Sequence, residues 1–232
     1  MKKKSLVLIC ARSGSKGLKN KNIKIFHGKP LIYYAIQIAS KINKLNETFV
    51  SSDSEKILSI SKKFGIINLI KRKKNLSLSS TPELEVWKDF IKKNKVNSDI
   101  LIVLPITSPL RVVNNVKIAL KKMEKNFKKY DFIICASKSK KNPYFNMIEQ
   151  KNKKVYELVK KGNFYHRQKT PTVFDVSTVC YIVKIRSLVE KNFKSIFDGK
   201  IGVVEIPFIN SIDIDDQNDF EIAKFLYKKY YK

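Results

Sequence analysis

The pattern of apolar and polar positions alternates between two periods along the first two thirds of the chain. Short apolar runs, typical of buried strands, are separated by stretches in which apolar residues recur at helical spacing. This alternation predicts a βαβα order and a largely parallel sheet with helices on both faces. The predicted strands are 5–11, 48–51, 66–70, 100–104 and 132–136, and the predicted helices are 30–41, 54–64, 82–93 and 112–127.

The alternation stops at about 137–174, where Lys, Asn and Tyr dominate and the apolar periodicity fades. An insertion of this kind in an α/β protein predicts an arm, a lid or a dimer contact. Strand patterns return at 179–183, 201–206 and 211–215, and a last helix is predicted at 218–229. With 232 residues, 43% of them apolar, and no linker-like composition, we expect one domain over 1–232.

The chain carries a formal net charge of +28, which raises the question of a nucleic-acid partner. Most of this charge is lysine spread over predicted helix faces, without an aromatic-interleaved basic motif or a Cys/His finger. We therefore expect a solvated surface and no specific nucleic-acid partner. Arginine is more informative, because its planar fork serves sites where lysine cannot replace it. It occurs at only five positions: Arg12, Arg72, Arg111, Arg167 and Arg186.

Targeting and redox signals are weak in this sequence. The first apolar run is shorter than the roughly 7–15 residues of a signal-peptide core, and charged residues follow it at once. No stretch reaches the roughly 18 apolar residues of a membrane span. The three cysteines have neither metal-ligand spacing nor the number for a disulfide framework. These features predict a cytoplasmic protein without a membrane partner.

The segment that follows the first predicted strand has the composition of a phosphate-binding loop. Two glycines allow the backbone N–H groups to face a ligand, and Arg12, Lys16 and Lys21 add three cations within ten residues. Open α/β sheets bind ligands beyond the carboxyl ends of their strands. The loop lacks the Gly-Lys-Ser/Thr ending of a Walker A sequence. We therefore predict a triphosphate site here, with an ordinary solvated turn as the alternative.

A second segment, Asn210 to Asp216, predicts a metal site. If 211–215 is a strand, Asp213 and Asp215 project to the same face while Ile212 and Ile214 enter the core. Mg²⁺ is commonly held by one or two carboxylates, with waters and substrate phosphates completing its octahedron. The alternative makes these residues caps and loop acids. Asp216 is predicted to cap the last helix, with Asp219 in its first turn.

Two shorter segments carry side chains suited to a ligand. Thr107, Ser108 and Arg111 follow the predicted strand 100–104, and either face a ligand or begin a turn. Arg167, followed by Gln168, is a candidate clamp for a carboxylate or phosphate. Neither segment indicates a function by itself.

Taken in order, these segments resemble the acylneuraminate (CMP-sialic acid synthetase-like) cytidylyltransferase family over nearly the whole chain. The resemblance rests on five ordered matches: the loop Ile9–Leu18, Val50–Asp53, Thr107–Arg111, Arg167–Gln168 and Ser211–Asp215. It implies a three-layer, Rossmann-like nucleotide-diphospho-sugar transferase fold with a mostly parallel central sheet. It also implies a homodimer, in which the irregular insertion at about 137–174 is the dimerisation arm.

The resemblance further implies a reaction and its residues. CMP would pass from CTP to the anomeric hydroxyl of an acidic nine-carbon (nonulosonic) sugar, releasing pyrophosphate, for surface glycan biosynthesis. Mg²⁺, or Mn²⁺ in its place, would be held by Asp213 and Asp215, which with Arg12 and Lys21 form the expected catalytic set. The expected substrate-binding residues are Ala11, Ser13, Gly14, Ser15, Lys16, Gly17, Asn22, Ser80, Thr107, Ser108, Arg111, Arg167 and Gln168.

The sequence departs from the family on the expected sugar side. Pro105-Ile106 stands where sialic acid enzymes read Gln-Pro, and Ser177-Thr178-Val179 where they read Asn-Gly-Ala. Sialic, legionaminic and pseudaminic acids therefore remain equivalent acceptor predictions, with a Kdo-type or other sugar as a more distant one. Two further alternatives are a non-catalytic polyanion-binding protein and a paralogue that binds CTP without turnover.

Overall fold

The computed structural model describes residues 3–15 and 17–231. In chain order, its strands are β1 (Ser5–Cys10), β2 (Ile25–Phe26), β3 (Lys29–Pro30), β4 (Thr48–Ser52), β5 (Asn68–Lys71), β6 (Ile100–Val103), β7 (Phe132–Lys138), β8 (Ile148–Asn152), β9 (Val155–Leu158), β10 (Phe174–Lys184) and β11 (Ile201–Glu205). The α-helices are α1 (Leu31–Ile42), α2 (Glu55–Lys63), α3 (Glu83–Lys93), α4 (Val113–Lys125), α5 (Ile185–Glu190) and α6 (Gln217–Tyr230).

Seven strands form the central sheet, in the order β11-β7-β10-β6-β1-β4-β5. All adjacent pairs are parallel except those of β10, which runs antiparallel to both β6 and β7. The register of β10 shifts between Ser177 and Tyr181, so residues 178–180 form a bulge. The predicted α/β class and mostly parallel sheet are therefore confirmed, and the bulge brings Thr178 to the end of the sheet that carries the site.

The core lies on both faces of the sheet, as the alternation of β1 requires. Val7 and Ile9 belong to a buried cluster with α1, α2, α4 and α6, whereas Leu6 and Leu8 pack on the opposite face against α3 and α5. Successive strand residues point to opposite faces, so a near-continuous apolar run is what a sheet buried on both faces needs. This gives the three layers that were predicted.

Local signals explain where several helices begin. Pro30 immediately precedes α1, and Ser54 caps α2 by accepting a hydrogen bond from the Ile57 N–H. Asp216 caps α6 and Asp219 completes a reciprocal capping box, as predicted. Such caps stabilise a helix by about 1 kcal/mol each.

The prediction of a strand at 211–215 is wrong. A 3₁₀ turn spans Phe208–Ser211, and residues 212–215 cross the end of the sheet without joining it. Their backbone groups have other partners: the Ile214 N–H donates to the Thr107 carbonyl, and the Asp215 N–H to the Asp219 carboxylate. These bonds replace the ladder that a strand would have required.

The insertion at 137–174 contains regular structure that the pattern did not predict. Strands β8 and β9 form a separate antiparallel hairpin. Its apolar side chains are exposed, which is why no apolar periodicity marks it; Ile148 is 63% and Tyr156 58% exposed. Helix α5 was also missed. Within the described residues, no helix is both long and apolar enough to cross a lipid bilayer.

Candidate active site

A cavity of about 520 Å³ opens beyond the carboxyl ends of β1 and β6. It combines cations from the first loop, the two aspartates of the 212–215 segment and hydroxyl groups from two further segments. Its walls are formed by Cys10, Arg12, Ser15, Gly17, Lys21, Asn22, Arg72, Leu76, Leu78, Ser79, Thr81, Glu83, Val86, Pro105, Ile106, Thr107, Thr178, Asp213 and Asp215.

The loop after β1 is held in shape by two hydrogen-bonded anchors. The Asn22 side chain donates to the Arg12 carbonyl (2.8 Å) and closes the loop from inside. Ser13 donates its backbone N–H (2.8 Å) and its hydroxyl (2.6 Å) to the Asp53 carboxylate, just past β4. Burial tends to raise the pKa of Asp53, but the Ser13 bonds and nearby Arg72 lower it overall. Ser13 and Asn22 thus support the loop that presents Arg12.

The same loop packs directly on the acidic segment. Lys21 donates its ammonium to the Ile214 carbonyl at 2.6 Å and lies 3.4 Å from Asp215 Oδ1. A Cβ on Gly17 would collide with the Asp215 carbonyl oxygen, so only glycine permits this approach. The predicted triphosphate loop and the predicted metal segment therefore meet, although about 190 residues separate them in the chain.

The two aspartates occupy different environments. Asp213 Oδ1 is fully buried and has no hydrogen-bond partner among the described residues. The Asp215 side chain is 80% exposed on the cavity side of Lys21. Both carboxylates line the same cavity, which they reach from an irregular segment and not from the predicted strand. Among the described residues, no cluster of three or more His, Cys, Asp or Glu side chains could hold a metal ion.

Hydroxyl groups form the wall beside Asp213. Thr178, on the β10 bulge, lies 2.7 Å from the Ser108 hydroxyl and 3.4 Å from that of Thr107. Thr107 and Thr178 line the cavity, whereas Ser108 is fully buried behind them. The sequence indicated Thr107 as a site residue but named Thr178 only within a departure from the family on the expected sugar side. A bulge in β10 is what brings Thr178 to the cavity.

Arg111 does not line the cavity. It is 4% exposed, and its Nε and Nη1 donate to the carbonyls of Ser108 and Val179, each at 2.8 Å. Burial lowers the pKa of Arg111 to about 10, against the opposing effect of Cys180, Asp213 and Cys135. The expected contact between Arg111 and the sugar is therefore corrected: in this structure Arg111 lies beneath the wall.

Several other predicted residues lie outside the cavity. Arg167 and Gln168 are exposed and line a separate groove of about 390 Å³ with Lys138, Ser139 and Asn142. Among the other predicted substrate-binding residues, Ala11 is buried and its N–H donates to the Ser51 carbonyl. Gly14 and Ser80 are exposed and do not line the cavity. Lys16 lies outside the described residues.

Arg72 and Glu83 are cavity residues that the motifs did not identify. Arg72 is buried at the end of β5 and donates to the hydroxyl (3.2 Å) and carbonyl (2.8 Å) of Ser51. The scarcity of arginine could have indicated it. Glu83 begins α3; desolvation by the surrounding wall raises its pKa, although part of the residue faces solvent in the cavity. Acidic residues are common in the first turn of a helix because they interact favourably with the helix dipole, so the sequence pattern gave no reason to select Glu83.

Cys10 also lines the cavity but has an unreactive thiol. Burial raises the pKa of Cys10 to about 12, so the thiol stays protonated at neutral pH. We therefore assign it no chemistry.

Comparison with known proteins agrees with this geometry. The chain is 34% identical over 225 residues to a CMP-N,N'-diacetyllegionaminic acid synthase from Campylobacter jejuni, covering 95% of this chain and 94% of that protein. It is 32% identical to a pseudaminic acid cytidylyltransferase from another C. jejuni strain, covering 97% of each. A solved CMP:2-keto-3-deoxy-manno-octonic acid synthetase complexed with CTP has the same fold, with a TM-score of 0.68, 14% identity and coverage of 97% and 99%.

The match extends across the segments that form the cavity. Residues 6–221 match the sequence model of the family described as Cytidylyltransferase, a range that begins in β1 and ends in α6. It includes the first loop, Thr107, the β10 bulge and both aspartates. The chain is therefore a CTP-using enzyme that belongs to the cytidylyltransferase family.

Proposed function

We propose that this enzyme transfers CMP from CTP to the anomeric hydroxyl of a nonulosonic acid and releases pyrophosphate. The observation that carries the proposal is the contact of Lys21 with Ile214 and Asp215, through which cations of the first loop and two carboxylates share one cavity. Two relatives that match over more than nine tenths of their length are named for legionaminic and pseudaminic acid. Since CTP is a cytoplasmic metabolite, we place the reaction in the cytoplasm.

The cationic end of the cavity suits the triphosphate. Arg12 and Lys21 face it together with Ser15 and the backbone at Gly17. Fixed cations and N–H groups can neutralise the charge that builds up on phosphate oxygens without reorganising during the reaction. We assign Arg12 and Lys21 to the triphosphate; Lys16 belongs to the same assignment from sequence alone.

The two aspartates fit Mg²⁺. Asp213 lines the cavity with a half-buried carboxylate, and a charge in such a place is costly unless a cation or donor interacts with it. Asp215 contributes a second, exposed carboxylate at the same cavity. Two protein carboxylates leave the remaining positions of the octahedron for water and phosphate oxygens, which is the usual arrangement for this ion. When bound there, Mg²⁺ would supply charge neutralisation at the reacting phosphate.

The chain's own residues mainly position the reactants. The sugar hydroxyl attacks the α-phosphorus, a new oxygen–phosphorus bond forms, and the bond to the departing pyrophosphate breaks. Holding both reactants in line lowers the entropic part of the barrier. Lys21 bonds to the acidic segment, so the group that faces the phosphates also helps hold the carboxylates in place. We name no general base.

The acceptor binds, in this proposal, beside Pro105, Ile106 and Thr178. Pro105 and Ile106 line the cavity next to the hydroxyl wall and present no polar side chain. The pocket for the sugar therefore differs from one that offers an amide at this point. Sialic, legionaminic and pseudaminic acids all remain within the proposal, and the experiment below ranks them.

We also propose that the enzyme is a homodimer formed through the 137–174 arm. The arm exposes apolar side chains that a partner would cover, namely Met147 before the hairpin and Ile148, Val155 and Tyr156 within it. Contiguous exposed apolar surface is characteristic of protein interfaces. Arg167 and Gln168 lie on the same insertion, away from this chain's own cavity. In the dimer we assign Arg167 to the acidic group of the sugar or to the phosphates.

The decisive experiment measures pyrophosphate release from CTP with a panel of nonulosonic acids and Kdo. ATP, GTP and UTP serve as nucleotide controls, and EDTA removes the metal. We expect release with CTP and at least one nonulosonic acid, and loss of release with EDTA, Asp213→Ala or Arg12→Ala. Turnover with Kdo alone would overturn the sugar assignment. The catalytic assignment would be overturned if the enzyme bound CTP but turned over no sugar of the panel. It would also be overturned if the protein bound nucleic acid, with an affinity that survives Asp213→Ala and falls as salt rises.

A further inference from the structure

Arg111 is buried beneath the cavity wall with part of its guanidinium unused. Its Nε and Nη1 hold the carbonyls of Ser108 and Val179, one on each of the two segments that form the hydroxyl wall. Its remaining nitrogen, Nη2, is fully buried and has no hydrogen-bond partner in the described part of the chain. A charged donor in this state is expensive, because desolvation is not compensated by a bond.

Asp213 has the complementary defect. Its Oδ1 is fully buried and equally without a partner among residues 3–15 and 17–231. Apart from the Trp87 indole nitrogen, these are the two buried side-chain nitrogen and oxygen atoms without a partner in that part of the protein. The Asp213 charge also acts on Arg111, where it opposes the lowering of the Arg111 pKa that burial causes. The backbone places the two residues at the same wall: the N–H of Ile214, next to Asp213, donates to the Thr107 carbonyl, and Arg111 holds the adjacent Ser108 carbonyl. The two side chains form no ion pair in the described structure.

A buried guanidinium N–H group and a buried carboxylate oxygen that both lack a hydrogen-bond partner are stabilised when they interact with each other. Arginine suits this role because its fork can use two N–H groups on backbone carbonyls and keep a third for a carboxylate. Outer groups of this kind orient metal-ligating carboxylates, and their removal typically weakens metal affinity about 10–100-fold.

We propose that Arg111 is a positioning residue for Asp213, holding its carboxylate through Nη2 so that the cavity-facing oxygen is presented to the cation. The inference rests on the proposed function for the cation itself and goes beyond it in assigning Arg111. Arg111 does not touch the substrate. It links the orientation of Asp213 to the backbone of Ser108 and Val179, the residues that directly follow Thr107 and Thr178.

The experiment compares CTP binding with and without Mn²⁺ by isothermal titration calorimetry, in the absence of sugar. The readout is the metal-dependent gain, defined as the Kd for CTP in EDTA divided by the Kd in saturating Mn²⁺. We expect Arg111→Met to reduce this gain about tenfold and to leave the Kd in EDTA unchanged. Arg111→Lys keeps the positive charge but lacks the planar fork, so its metal-dependent gain should lie between those of the wild type and Arg111→Met. A purely structural role would instead weaken CTP binding in EDTA as well.

A double-mutant cycle with Asp213→Asn separates the remaining outcomes. Because Arg111 acts through Asp213, Arg111→Met should reduce the gain no further once Asp213→Asn is present; additive losses would overturn the proposal. Exposed Arg186→Met is the matched control and should behave as wild type. If Asp213→Asn binds Mn²⁺·CTP like wild type, the metal assignment of the proposed function fails and this inference with it. If Asp213→Asn loses the gain but Arg111→Met and Arg111→Lys do not, the inference about Arg111 alone is overturned.

Discussion

The ammonium of Lys21 lies 2.6 Å from the carbonyl oxygen of Ile214. This bond crosses from the first loop to the segment that precedes the last helix, and it leaves the Lys21 side chain only 13% exposed. Lys21 therefore holds the first loop against the 212–215 segment and also contributes a positive charge to the cavity.

Replacing Lys21 by Met should remove both the charge and the link to Ile214. We expect kcat/KM for CTP to fall roughly 100-fold, the range found when a fixed donor to a developing charge is lost. Steady-state pyrophosphate release measures it. Lys19→Met is the matched control, because Lys19 is exposed and outside the cavity; an equal fall in that variant would show that general charge, not position, is responsible.

The contact between Gly17 and Asp215 predicts a specific steric effect. In Gly17→Ala the new Cβ meets the backbone carbonyl of Asp215, so the loop and the acidic segment must separate. We expect a rise in the KM for CTP and in the Mg²⁺ concentration that gives half-maximal rate. Gly14→Ala, where a Cβ meets open space, should keep wild-type values. The explanation fails if both alanine variants behave alike.

The bonds from Ser13 predict a pH dependence of stability. Because the folded-state pKa of Asp53 lies below its unfolded value, the ionised carboxylate stabilises the fold above an unfolded pKa of about 3.9. This contribution disappears as pH falls through the lower, folded-state pKa. The melting temperature of Asp53→Asn should therefore lie below wild type at pH 7, and the gap should close as pH falls below about 4. Thermal unfolding followed by circular dichroism from pH 7 to 3 tests this; a gap that stays constant would contradict it.

Arg72 joins the ends of β4 and β5 while lining the cavity. Arg72→Lys cannot reproduce the bonds to both the hydroxyl and the carbonyl of Ser51. We expect a stability loss of about 1–3 kcal/mol, the cost of leaving buried polar groups unsatisfied, together with weaker CTP binding. Urea unfolding and calorimetry measure the two effects. The control is Arg186→Lys, since Arg186 is exposed and pairs only with Glu190 one turn away within the described structure; it should change neither quantity.

The exposed hairpin predicts the effect of a charge on assembly. Tyr156→Glu places a carboxylate on the apolar surface of the arm and should convert a dimer into a monomer in light scattering after gel filtration. Val189→Glu, at a residue on α5 that is 63% exposed, should leave the dimer intact. A wild-type protein that is already monomeric would refute the proposed homodimer.

The strands of the central sheet and helices α1, α2, α3, α4 and α6 could be predicted from sequence because their signals are local. The buried strands around Val7 and Ile102, the cap at Asp216 and the phosphate-loop composition after Cys10 depend on neighbours a few residues away. The resemblance to a cytidylyltransferase depends on the order of such segments, and it is confirmed by the family match.

Contacts between distant segments could not be predicted in the same way. The Asp-Ile-Asp alternation indicated a strand. However, the Ile214 N–H donates to the Thr107 carbonyl and the Ile214 carbonyl accepts from Lys21, so these backbone groups are not available for a strand ladder. Arg111 looked like a ligand-binding arginine, whereas the β10 bulge places the Val179 carbonyl where it accepts from Nη1, so Arg111 lies beneath the cavity wall and not in the cavity. Arg72 carried no motif, yet the end of β5 places it in the wall.

The sequence by itself determined the α/β order, the cationic loop and the two carboxylates, because residue type and short-range periodicity encode these directly. The resemblance of the ordered segments to a known family added the nucleotidyl-transfer chemistry. Only the tertiary structure decided which of these groups share a cavity, since that depends on strand order, on a bulge at residues 178–180 and on backbone hydrogen bonds between segments almost 200 residues apart.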